Sequence, residues 1–144
     1  MVKKLKKILI IDDERSIRAT LKEILEFEKY LVETAQDGIE GYKMAEEKNF
    51  DLIFCDIKMP KIDGIETLKK IVENNILSPV IMISGHGDIE TAVQTLKIGA
   101  FDYIEKPLDL NRVLTCVRNA LDNSHLKKEN TILKKKIKSK SEII

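Results

Sequence analysis

Asp51-Leu-Ile-Phe-Cys-Asp-Ile-Lys-Met-Pro60 is the stretch on which the reading of the chain turns. Leu52 to Cys55 is a short continuous apolar run, the pattern of a strand buried on both faces of a parallel sheet. The run ends abruptly in the carboxylate of Asp56. Met59-Pro60 and then Asp63-Gly64 turn the chain away. One acid is therefore held at the carboxyl end of a central strand, the edge where open α/β sheets bind ligands. On this stretch alone Asp56 could equally be the residue that starts the turn, so the flanking sequence has to decide.

Working outward, apolar runs and helical spacings alternate. Lys7 to Ile11 reads as a first strand, ending in Asp12-Asp13-Glu14. Ile17, Leu21, Ile24 and Leu25 follow helical spacing to about Glu28. Leu31 to Ala35 is a second strand. Asp37-Gly-Ile-Glu40 has the form of a capping box and opens a helix that carries Tyr42, Met44 and Ala45 to about Lys48. After the Leu52–Cys55 strand, Ile65, Leu68, Ile71 and Val72 mark a third helix. Pro79 to Ile83 is a fourth strand. Asp88 is expected to cap a fourth helix with Ala92, Val93 and Leu96 inward, closed by Gly99. Phe101 to Ile104 is a short fifth strand. Asp109 caps a last helix, with Leu108 and Val113 forming a hydrophobic staple. Five such alternations predict an α/β doubly wound (βα)5 domain: a five-stranded parallel sheet with helices on both faces.

The 144 residues fit one domain, and 43% hydrophobic content suffices for a core. The formal net charge of +1 is unevenly spread. Residues 1–126 carry 18 Lys+Arg against 22 Asp+Glu, and residues 127–144 carry 7 against 2. A mildly acidic body is not the footprint of a nucleic-acid-binding domain. Cys55 and Cys116 sit in apolar contexts as core residues, with no CxxC site or disulfide framework. No apolar run reaches membrane-spanning length, and Asp12-Asp13-Glu14 cuts short the only run resembling a signal peptide. The expected location is cytoplasmic. No GxGxxG or GxxxxGK[ST] is present, which leaves dinucleotide and P-loop folds unsupported.

In a parallel sheet all carboxyl ends share one edge. Here they deliver Asp12 and Asp13, Asp56, Ser84 and Lys106. Clustered carboxylates need a cation or must hold protons. Oxygen ligands at a partly open site favour Mg²⁺. A hydroxyl and an ammonium opposite could hold phosphoryl oxygens, and Asp56 could act as a nucleophile toward phosphorus. Each residue has a plainer reading: Asp12-Asp13 as a helix-start charge pair, Ser84 as a turn hydroxyl, Lys106 as a surface lysine, His86 as a solvated loop residue. Their joint arrival at successive strand ends is what favours phosphoryl transfer onto Asp56.

These motifs resemble the receiver domain of two-component response regulators, with the chemotaxis-regulator-like (flavodoxin-like) fold. The resemblance covers about Lys7 to Leu121. It is carried by Ile10-Ile-Asp-Asp-Glu14, Asp56-Ile-Lys-Met-Pro60 with Asp63-Gly64, Ser84-Gly85, Gly99-Ala-Phe-Asp-Tyr103 and Lys106-Pro107. It implies that Asp56 is the phosphoacceptor and a sensor histidine kinase the donor. It implies that Asp13, Asp56 and the backbone carbonyl of Lys58 hold Mg²⁺, with Asp12 acting directly or through water. Ser84 and Lys106 would bind the phosphoryl oxygens, Tyr103 would be the switch aromatic, and the bond before Pro107 would be cis. Ser84-Gly-His-Gly-Asp-Ile-Glu-Thr-Ala-Val93 looks most like the receivers of NtrC/NtrX-type sigma-54-dependent activators, which carry an ATPase and a DNA-binding domain after the receiver. By that likeness the chain is a signalling switch and not an enzyme, and it serves to control transcription.

Two other readings compete. A phosphatase of the haloacid-dehalogenase type would need a second Asp two residues after the nucleophile, but Lys58 stands two after Asp56 and Arg15 two after Asp13. A receiver-like interaction module without chemistry would not need its five polar site residues intact. Beyond the receiver, residues 122–144 read as a helical linker to an output domain. No Gly or Pro occurs between Asn111 and Ile144. Leu126, Asn130, Leu133 and Ile137 recur at coiled-coil spacing, so a homodimer, at least when phosphorylated, is expected.

Overall fold

The computed structural model describes residues 5–85 and 87–122. In chain order the elements are β1 (Lys7–Ile11), α1 (Arg15–Phe27), β2 (Leu31–Ala35), α2 (Gly38–Glu47), β3 (Leu52–Asp56), α3 (Gly64–Glu73), β4 (Val80–Ser84), α4 (Ile89–Ile98) and β5 (Asp102–Glu105). A fifth helix, α5, covers residues 110–122 of the described chain. The strands form one parallel sheet in the order β2-β1-β3-β4-β5. The order reverses between β1 and β3, which opens a crevice outside their carboxyl ends.

Period-2 alternation splits the core into two layers. Leu9, Ile11, Ile53, Cys55, Val80 and Met82 face the side covered by α2, α3 and α4. Ile8, Ile10, Leu52, Phe54, Ile81 and Ile83 face α1 and α5. All five residues of β3 and of β4 are buried, which is why both read as unbroken apolar runs. Both cysteines are free and buried. Among the described residues no helix is long and apolar enough to cross a membrane.

Three helix starts are capped by an Asp, Asp37 and Asp109 as expected and Asp63 in addition. The Asp37 carboxylate accepts from the Glu40 N–H at 2.8 Å, and the Glu40 carboxylate accepts from the Gln36 N–H at 3.2 Å. Asp63 accepts from the Glu66 N–H at 3.0 Å, and Asp109 from the Arg112 N–H at 2.9 Å. Leu108 and Val113 meet in one cluster, as a staple requires. Gly99 closes α4 at φ +142°.

Helix α4 departs from expectation twice. Asp88 precedes its first turn but makes no capping hydrogen bond. Val93 and Leu96 are 41% and 37% exposed. The inward stripe consists of Ala92 and Thr95, whose small side chains let the helix lie close to the sheet. The apolar spacing was real, but the larger side chains occupy the neighbouring stripe, one residue further round the helix.

Gly64 sets the approach of the β3–α3 turn. Its N–H donates to the Ile57 carbonyl at 2.7 Å. A Cβ there would collide with the Asp56 carbonyl oxygen and lie 2.7 Å from the Ile57 Cα. Both obstacles are backbone and cannot turn aside. Gly64→Ala is therefore expected to destabilise the chain by about 2–4 kcal/mol in urea unfolding. A loss below about 0.5 kcal/mol would show that this turn has room to give.

Candidate functional site

Register places the site. Ile11 pairs with Cys55, so Asp12 and Asp56 occupy the next rung, on strands flanking the crevice. Asp56 pairs with Ile83, which puts Ser84 one step beyond. Ser84 pairs with Glu105, and Lys106 follows. A carboxylate oxygen from each of Asp12, Asp13 and Asp56 lies within 4.8 Å of the others. The Lys106 ammonium stands 3.6 Å from Asp56 Oδ2 and 3.7 Å from Asp12 Oδ2. The sheet thus brings together the acid, acid, hydroxyl and ammonium expected at its edge.

Asp12, Asp56 and Ser84 are buried, whereas Asp13 is exposed. Burial, followed by the charge of Asp12, pushes the Asp56 carboxyl up to about 8 despite Lys106. Burial also raises Asp12, outweighing the Glu14 N–H that bonds its Oδ1 at 2.8 Å. For Lys106, burial favours the neutral amine, but the bond to Glu14 and the charges of Asp12 and Asp56 prevail and raise it. Two acids this close in a dry site resist carrying full charge together without a cation.

Asp12 Oδ2 is buried and has no hydrogen-bond partner among the described residues. An orphaned anionic oxygen beside two further carboxylates fits a hard cation, and the exposed Asp13 leaves room for the water such an ion keeps. Among the described residues the clustered donor set is all oxygen.

The other expected site residues are placed as follows. The Ser84 hydroxyl donates to the Ile104 carbonyl at 3.4 Å. The Tyr103 ring is half-buried and packs against the α4-side cluster. The Lys106–Pro107 peptide is cis, as expected. Lys58 lies in the turn two residues after Asp56, and its ammonium reaches Asp88 at 2.9 Å. His86, Leu126, Asn130, Leu133 and Ile137 lie outside the described residues.

Three contributors were not singled out from sequence. Glu14 holds the Lys106 ammonium at 2.6 Å, closer than either buried acid. The Arg18 guanidinium donates to the Asp12 carbonyl at 2.7 Å, tying the β1 end to α1. Asp88 partners Lys58. Only Glu14 carried a sequence signal, as the third acid after β1. The other two are contacts between elements that spacing does not reveal.

Residues 8–118 match the response regulator receiver domain family, and the chain belongs to that family. A putative NtrX-like response regulator of Rickettsia felis is 39% identical over 139 residues, covering 95% of this chain and 29% of that protein. The transcriptional regulatory protein ZraR of Klebsiella oxytoca is 40% identical over 119 residues, 83% of this chain and 27% of that protein. The structure of NtrX from Brucella abortus in complex with ADP superposes with a TM-score of 0.85 at 37% identity, covering 90% of this chain and 30% of that one. A receiver domain protein from Clostridium thermocellum superposes with a TM-score of 0.80 at 35% identity, covering 85% and 98%. The chemotaxis-regulator-like fold and the NtrX likeness expected from sequence both hold. The chain spans under a third of the length of the curated relatives it matches.

The buried acids predict a pH dependence. In the unfolded chain Asp56 would ionise near its ordinary 3.8, whereas in the folded chain it ionises near 8. Below pH 4 both states hold the proton and the group is neutral to stability. Between pH 4 and 8 the unfolded state has lost the proton and the folded state keeps it, so stability falls as pH rises. Without divalent cations, Asp56→Asn is expected to be more stable than wild type by about 1–3 kcal/mol at pH 8, with the gap closing toward pH 4. Urea unfolding across that range is the test, and a gap independent of pH would contradict it.

Proposed function

We propose that Asp56 accepts a phosphoryl group from a sensor histidine kinase, making the chain a phosphorylation-dependent switch. The observation that supports this most directly is the placement of Asp56: a buried carboxylate beside an Asp12 oxygen without a hydrogen bond among the described residues, 3.6 Å from Lys106 and one rung from the Ser84 hydroxyl. An Asp56 oxygen would attack phosphorus as the bond to the donor's imidazole nitrogen breaks, leaving an aspartyl phosphate on the chain and neutral imidazole on the donor once a proton is taken up. In this reading Asp13, Asp56 and the Lys58 carbonyl would hold Mg²⁺, with Asp12 acting directly or through water. Mg²⁺ supplies charge that keeps Asp56 ionised and stabilises the phosphoryl oxygens. Lys106 would leave Glu14 to pair with a phosphoryl oxygen.

Ser84 carries the switch. Its bond to the Ile104 carbonyl is long at 3.4 Å, so turning the hydroxyl toward a phosphoryl oxygen costs little. Withdrawal of Ser84 would free space beside α4 and let Tyr103 rotate inward, a shift between two existing states. The output surface would be α4, β5 and α5, relaying to a transcription-controlling region and aided by a dimerising segment from residue 122 onward. The chain would be cytoplasmic, without direct contact to nucleic acid, and not an enzyme in its own right.

Incubation with Mg²⁺ and acetyl phosphate, followed by intact mass measurement, tests the acceptor. Wild type should gain one phosphoryl adduct and Asp56→Asn none. A fully labelled Asp56→Asn would overturn the assignment, and continuous turnover without an adduct would favour a phosphatase. Ser84→Ala should still form the adduct but lose most of the phosphorylation-dependent NMR shift changes in α4. Retention of wild-type shifts in that variant would remove Ser84 from the relay.

A further inference from the structure

Four helices of this chain have an Asp immediately before their first turn: Asp37, Asp63, Asp88 and Asp109. Three of them cap, each accepting from the backbone N–H three residues on. Asp88 does not. Its carboxylate instead holds the Lys58 ammonium, from the turn after β3, at 2.9 Å.

The backbone agrees. Asp37 and Asp63 are extended, at φ −152°, ψ 171° and φ −76°, ψ 174°, as a capping side chain needs. Asp88 sits at φ −103°, ψ 20°, which turns its side chain away from the α4 amides. Gly87, just before it, is at φ +87°, a conformation open to glycine and costly for other residues. A Cβ on Gly85 would lie 3.1 Å from Asp88 Oδ2, so the carboxylate occupies space that glycine leaves free.

At its present backbone angles Asp88 reaches Lys58 and not the α4 amides, unlike the extended Asp37, which caps α2 and holds Lys61 at 3.2 Å together. The Lys58 end of the pair is largely exposed, at 77%. An ion pair of that kind is worth about as little as an Asp cap, so neither position dominates. A phosphoryl dianion placed on Asp56, two residues before Lys58, would compete for the same ammonium.

The geometry points to Asp88 as a two-position residue: it holds Lys58 in the unphosphorylated chain and caps α4 once Lys58 turns to a phosphoryl group on Asp56. The second half rests on the reading of Asp56 as phosphoacceptor; the first does not. The first turn of α4 is then looser at rest than after phosphorylation. A charge change at the β3–α3 turn reaches α4 by a route separate from Ser84.

Amide hydrogen exchange on the full chain, read at Glu90 and Thr91, tests both halves. In the unphosphorylated chain, Lys58→Ala should slow exchange at these amides by about threefold, because Asp88 is released to cap. Asp88→Ala alone should leave them within about twofold of wild type, since no cap is lost. The double variant Lys58→Ala/Asp88→Ala should return to the Asp88→Ala value. Unchanged exchange in Lys58→Ala, or faster exchange in Asp88→Ala matching the loss of a cap, would overturn the proposal. β3 amides serve as the control for intact folding. With Mg²⁺ and acetyl phosphate, wild type carrying the adduct should show the same slowing as Lys58→Ala. An adduct without slowing overturns the coupling and leaves Asp56 as acceptor. Absence of any adduct overturns that acceptor reading, while the unphosphorylated arm still decides whether Asp88 alternates.

Discussion

Two carboxylates, Asp12 and Asp56, are buried on adjacent strands with one ammonium to offset them. Most of the molecule's design follows from that constraint. A charge out of water needs a partner, and one lysine shared with Glu14 is a partial one. The folded chain therefore stores an electrostatic imbalance that an added cation relieves. The rigidity to hold such a cluster comes from β3 and β4, buried along their whole length, and from the Gly64 turn pressed against the Asp56 carbonyl.

The same geometry explains how a local charge change can travel. The strand ends step outward from Asp56 to Ser84 to Lys106 through the ladder between β3, β4 and β5. Ser84 is bonded to the Ile104 carbonyl of β5, and the Lys106 N–H donates to the Ser84 carbonyl at 2.9 Å. Helix α4 meets the sheet through Ala92 and Thr95 alone among its buried residues. Small side chains grip less apolar area than Leu or Ile would, so burial anchors α4 only lightly. An exposed stripe of Ile89, Val93 and Leu96 runs along it.

Much of this was legible in the sequence because the signals were local. Apolar runs of four residues marked β1 and β3, and Asp37 and Asp109 announced helix starts whose caps form. The acidic and basic residues at the strand ends could be grouped because a parallel sheet sends every carboxyl end to one edge. What failed was α4. Its large apolar residues suggested the buried face, but the buried face is set by how closely the helix approaches the sheet, which spacing does not encode. Asp88 had the look of its three capping counterparts, but it is not extended and pairs with Lys58, thirty positions earlier in the chain. Glu14 and Arg18 were missed for the same reason: each acts across an element boundary.

If Asp12, Asp13 and Asp56 form a site that needs a cation, supplying one should stabilise the fold. The most direct measurement is the unfolding free energy of the wild-type chain as Mg²⁺ is raised at constant pH and ionic strength. Binding to the folded state alone predicts a plateau at low Mg²⁺, then a rise approaching about 1.4 kcal/mol per tenfold increase once the site begins to fill. Asp13→Asn, which removes the exposed acid without touching the core, should move the rise to higher concentration. A wild-type stability that stays flat through tens of millimolar Mg²⁺ would contradict the account.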